Sequence, residues 1–82
     1  MDAQRRALRG LVSAMAPRRA VAYIRAFELP EEEETCIVEI DVRGRSCQQV
    51  AQLLHVCPEV VKRRRRRAYG KMLDAIEKGM SE

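Results

Sequence analysis

Apolar residues recur at helical spacing in every strongly patterned segment of this chain. Ala7, Leu8, Leu11, Val12 and Met15 share one face of a first helix, which Asp2 can cap. Pro17 ends that helix and suits the first position of a second, where its missing N–H would be unpaired in any case. Ala20, Val21, Ile24 and Phe27 form the second stripe, with Arg18, Arg19 and Arg25 turned outward. Leu29-Pro30 breaks the pattern again, and Pro30 opens a third helix through Cys36, Ile37 and Ile40. Gly44 closes it, because glycine takes the left-handed backbone past a helix end without steric cost.

The following segment carries the densest local signals. Ser46 with Gln49 three residues on is a capping box: the hydroxyl accepts a free backbone N–H and the amide reaches back to the cap. Val50, Ala51 and Leu54 give a short apolar face, and His55-Val56-Cys57 reads as a tight turn with Val56 as its buried peg. Pro58 opens the last helix and Glu59 sits at its positive dipole end, after Cys57, a weak cap beside the usual Ser, Thr, Asp or Asn. In that helix Val61, Ala68, Met72 and Ile76 share a face, and Arg65 projects into the same stripe. A buried unpaired guanidinium is prohibitive, so Arg65 either snorkels or pairs with a third-helix carboxylate, Glu39 or Glu33; pairing is the favoured expectation. Tyr69 is expected to cover the helix–helix seam. The pattern predicts an all-α fold, a small bundle of about five helices with a C-terminal helix-turn-helix. Residues 1–28 form a helical segment packing on or flanking the core, and residues 29–82 the helix-turn-helix domain.

Composition narrows the function. At 82 residues, 46% hydrophobic and 34% charged, the chain suits one soluble helical domain with a modest core and little room for an elaborate active site. The net charge of +4 hides a sharp division between the acidic block Glu31-Glu32-Glu33-Glu34 and the six cations Lys62-Arg63-Arg64-Arg65-Arg66-Arg67. The helix dipole accounts for the glutamates in a first turn. Like-charge blocks are usually solvated tails. This basic block instead lies between a helix start and a helical continuation, so it asks for a polyanion, and nucleic acid is the obvious one. The near absence of aromatics argues against single-strand stacking. No apolar stretch approaches the roughly 18 residues of a membrane span, and residues 1–6 do not lead into a signal-peptide core, so a cytoplasmic protein is expected. Three cysteines leave at least one unpaired, and reduced structural thiols are expected. Cys47, His55 and Cys57 are the sharper alternative as a metal site, but Cys-x-x-Cys and His-x-x-x-His pairs are lacking. Nothing reads as a nucleophile–base pair or a phosphate loop, so no enzyme and no cofactor are expected.

Residues 29–73 resemble the region 4 helix-turn-helix of bacterial sigma-70-type factors and related small phage or mobile-element regulators. The resemblance rests on "LPEEEE" opening one helix, "VRGRSCQQVAQLL" turning into the next, and "HVCPEVVKRRRRRA" in the recognition helix. Regulators of the LuxR type share much of the pattern. The resemblance implies a DNA-binding transcriptional regulator whose last helix enters the major groove. It implies base contacts by Glu59, Val60, Lys62 and Arg63, with Glu59 accepting from cytosine, Arg63 bonding a guanine edge and Val60 touching a thymine methyl. Arg45, Ser46, Gln48, Arg66 and Arg67 would contact phosphate. A promoter-melting region 2 is not part of the match, so strand opening is not expected. The alternative is a protein-interaction module that docks on RNA polymerase or on a second copy of the chain, through Arg5, Arg6, Arg9, Arg18 and Arg19 around the N-terminal apolar stripes.

Overall fold

The helical periodicity is realised as five α-helices, α1 (Asp2–Ala14), α2 (Pro17–Arg25), α3 (Glu31–Ile37), α4 (Cys47–Leu54) and α5 (Pro58–Glu77). A π-helical stretch, Val38–Val42, continues α3. The computed structural model describes residues 2–79, with side chains from Ala3 onward, and contains no strand among them. The capping role expected of Asp2 falls on a side chain outside those described. Pro17 occupies the first position of α2 after an extended Ala16. Pro30 stands one residue before α3, as its extended cap residue, rather than inside the helix.

The third helix departs from the simple expectation after Ile37. The Arg43 N–H donates to the Val38 carbonyl five residues back, at 2.9 Å, which widens the turn and delays the phase of the side chains that follow. Gly44, at φ +79°, then ends the helix as its lack of a Cβ allows.

Two apolar clusters fill the interior, and α3 and α5 contribute to both. Leu8 and Val12 of α1, Ala20 and Ile24 of α2, Ile37 of α3 and Ala68, Tyr69 and Met72 of α5 form the larger. The smaller joins Cys36, Val50, Ala51 and Val61, with Ile40, Leu54 and Val56 packed against it. Burying each large aliphatic side chain here contributes about 1.5–3 kcal/mol. The N-terminal helices therefore share a core with α5. Two expectations need correction. Ala7 is exposed and Leu11 is 49% exposed, so the buried stripe of α1 narrows to Leu8 and Val12, with Met15 half-buried. Tyr69 goes further in than a covering position at the helix–helix seam; it is fully buried within the larger cluster.

The acidic turn of α3 does more than face a dipole. Glu33 is only 6% exposed. The Lys71 ammonium of α5 donates to its Oε2 at 3.1 Å and lies 3.0 Å from Oε1. Glu34 lies 3.5 Å from Arg25, linking α3 to α2. The block thus ties three helices together, with Glu33 held by Lys71 and Glu34 beside Arg25.

Burial pushes the Cys36 thiol upward, with the Arg64 charge opposing, and burial followed by the Asp41 charge pushes the Tyr69 phenol upward. Both stay protonated in the folded state at a pH where the unfolded chain has released its protons. The unfolded state then binds fewer protons, so stability falls as pH rises, from about pH 8.5 for the thiol and about pH 10 for the phenol. In urea titrations the unfolding midpoint is expected to drop between about pH 8 and pH 11, and Tyr69→Phe to lose less of it above about pH 10.

Candidate nucleic-acid interface

The α4–α5 unit is set by backbone chemistry at both ends of α4. Ser46 is extended, its hydroxyl accepts the Gln49 N–H at 3.1 Å, and its own N–H donates to Gln49 Oε1 at 2.9 Å, so the capping box forms. At the other end His55 turns left-handed at φ 58° and ψ 43°, and the Val56 N–H donates to the Ala51 carbonyl at 3.0 Å. Val56 is half-buried against the smaller cluster and holds the turn to the core. His55 itself is exposed. Cys57 caps α5 through its extended backbone alone, without a side-chain hydrogen bond, and Pro58 takes the first helical position.

Along α5 the cation run divides. Lys62, Arg63, Arg66 and Arg67 are exposed, whereas Arg64 and Arg65 are half-buried on the core side. Arg65 is held by a two-pronged ion pair to Asp41, with Nε to Oδ2 at 2.9 Å and a terminal nitrogen to Oδ1 at 2.6 Å. Its side chain is 22% exposed and that of Asp41 is 8% exposed. The guanidinium also lies 5.7 Å from the centroid of the Tyr69 ring, within cation–π range. Hydrogen bonding to Asp41 raises the Arg65 pKa despite burial, so the charge is retained. Pairing was expected; the partners expected for it were wrong. Glu33 belongs to Lys71, and Glu39 lies 2.8 Å from Arg45 and 3.8 Å from Arg43. The π-helical stretch carries Asp41, and its altered phase presents that carboxylate to α5.

The sequence-predicted contact residues on α5 are mostly exposed away from its core face, whereas Arg45 lines the groove on the α2 side. Glu59 and Arg63 are exposed on the first turns of α5, with the Glu59 side chain 80% exposed and 3.9 Å from Lys62 Nζ. Val60 is half-buried. Arg66 and Arg67 stand one turn further along. At the start of α4, Gln48 is exposed, but Ser46 is committed at both its hydroxyl and its N–H to the capping box. The helix-start N–H groups of Cys47 and Gln48 have no intrahelical partner and remain the anion-facing donors there. Arg45 is exposed but leans on Glu39.

Sequence reasoning placed Arg5, Arg6 and Arg9 on a docking surface for a partner. The fold sets them beside Lys62, Arg65 and Arg66, across a cleft between α1 and α5. The available signal was the position of Arg5 and Arg9 flanking Leu8 and Val12 on the helical wheel, which seats them at the edge of whatever those residues pack against; nothing in the spacing announced Arg6, which lies well away from that stripe. Cys47, His55 and Cys57 are not gathered into a metal-binding cluster among the described residues. None of the described helices is long and apolar enough to cross a membrane. Compared with protein-family models, curated proteins and solved structures, the chain shows no match.

The Arg65–Asp41 pair yields a direct stability test. Asp41→Ala strands a half-buried guanidinium and is expected to cost about 2 kcal/mol in urea unfolding, the scale of hydrogen bonds to charged groups. Combining Asp41→Ala with Arg65→Met removes both charges and is expected to recover most of that loss.

Proposed function

We propose that this protein is a sequence-specific double-stranded DNA-binding regulator of transcription, with the first two turns of α5 in the major groove. The single observation that carries the reading is the division of the cation run. Lys62, Arg63, Arg66 and Arg67 are exposed on a helix whose opposite face is anchored in the core, and the capped start of α4 lies beside it. Among the described residues Arg63, Arg66 and Arg67 have no carboxylate within ion-pair distance. Such a surface repels itself unless phosphate neutralises it.

The resemblance to sigma region 4 and LuxR-type helix-turn-helix units supports the same reading and supplies the division of labour. Glu59 and Arg63 read base edges, Glu59 from cytosine and Arg63 from guanine, while Val60 and Lys62 complete the base-facing set. Arg66, Arg67, Arg45 and the free N–H groups of Cys47 and Gln48 at the start of α4, which Ser46 caps, take phosphate. The protein, of bacterial or phage origin, acts by binding, without catalysis, in the cytoplasm.

A second reading has its own observation. An open groove of about 980 Å³ on the α2 side is lined by Val21, Ala22 and Val42 and rimmed by Arg18, Arg25 and Arg43. An acidic, partly apolar partner surface complements it, which suits the protein-interaction alternative. Recovery of polymerase in DNA-free pull-downs that is lost on Val21→Asp would favour that role.

Duplex affinity that falls linearly with the logarithm of salt concentration tests the main reading, and no duplex binding at low salt would end it. Selection from a random duplex library supplies the target. On that target Arg63→Ala is expected to relax preference at one base pair by about 1–3 kcal/mol. Arg66→Ala should weaken all sequences alike and make the salt slope shallower by roughly 0.9.

A further inference from the structure

The cleft between α1 and α5 concentrates more positive charge than any contact in the fold requires. Arg5, Arg6 and Arg9 form one wall, Lys62, Arg65 and Arg66 the other, with Cys47 and Tyr69 between them. Its volume is about 390 Å³, room for a phosphate group with its waters. Asp41 neutralises Arg65 alone. Among the described residues no carboxylate lies within ion-pair distance of Arg5, Arg6, Arg9 or Arg66, and Lys62 meets only exposed Glu59 at 3.9 Å. The Nε of Arg5 is buried without a hydrogen-bond acceptor. An N–H so placed and left unpaired costs about 1–3 kcal/mol.

We infer that this cleft binds a phosphate group and that α1 thereby belongs to the DNA-contacting surface. The inference rests on the proposed function and extends it to the N-terminal helix. Arginine suits the task because its planar fork meets two phosphate oxygens at once, and a walled cleft of one sign focuses the field on an incoming anion. Cys47, the first residue of α4, lines the same cleft, so the helix start expected to meet phosphate adjoins it. A backbone phosphate flanking the base-reading turn of α5 would then be gripped from three helices. The α1 arginines contribute affinity and register without base preference.

Arg6 and Arg9 are exposed, so Arg6→Gln with Arg9→Gln disturbs no core packing. The doubly substituted protein is expected to bind duplex DNA with a salt slope shallower by roughly 0.9 for each phosphate it no longer neutralises. For two such phosphates, the fall in affinity between about 50 mM and 200 mM salt shrinks by roughly tenfold. Arg6→Lys with Arg9→Lys should keep most of the slope. Arg18→Gln with Arg19→Gln, which removes equal charge from α2, should keep it all. An unchanged slope in the α1 glutamine variant, or an equal drop in the α2 variant, overturns the inference and leaves the proposed function standing. If the unsubstituted protein binds no duplex, the proposed function falls, and calorimetry with tripolyphosphate judges the cleft. Binding abolished by the α1 glutamine substitutions then sustains a phosphate site for a free ligand; no binding overturns it.

Discussion

The forked ion pair between Arg65 and Asp41 is the constraint on which the arrangement of this protein turns. A helix with six consecutive cations must pass its inward-facing members through the interior, and burying one of them unpaired would exceed what so small a core can offset. Asp41 answers that problem from the π-helical continuation of α3, where the widened turn delivers a carboxylate to α5. The same guanidinium lies against Tyr69, so charge and the largest buried side chain are settled together. With the register of α5 held at this point, Lys62, Arg63, Arg66 and Arg67 face out.

A single long helix therefore serves as both the wall of the core and the proposed binding surface. Val61 belongs to the smaller apolar cluster, and Ala68, Tyr69 and Met72 to the larger one, so the rigid part of α5 is continuous with its exposed first turns. The proposed base readout would tolerate little displacement, and α5, packed along its length against α1, α3 and α4, holds its side chains in place at small entropic cost. The Lys71–Glu33 pair adds a second polar tie between α3 and α5. Charged residues are thus divided between surface repulsion, which a polyanion relieves, and ties that hold the helices in one arrangement.

Much of the design was legible residue by residue. The capping box at Ser46 and Gln49, the helix starts at Pro17 and Pro58 and the stop at Gly44 all depend on interactions within a few residues, which is why local pattern suffices for them. The inward turn of Arg65 followed from helical phase alone. What could not be read was the partner of Arg65. Choosing among Glu33, Glu39 and Asp41 depends on a change in helical phase after Ile37 that no composition or spacing announced. Leu11 was overcounted for a related reason: a stripe defines which residues share a face, and the neighbouring helix decides how wide a band it covers.

By itself, then, the sequence determined an all-helical chain, the position of its breaks, and the presence of a capped short helix leading into a strongly basic long one. Those properties arise from backbone propensity, capping chemistry and periodicity, which act over one or two turns. Tertiary structure decided which acid meets which base, that Tyr69 lies inside, and that α1 sets three arginines across a cleft from the basic helix. These are meetings of residues dozens of positions apart. They depend on how helices are rotated and seated against one another, a matter of packing that the order of residues along each helix leaves open.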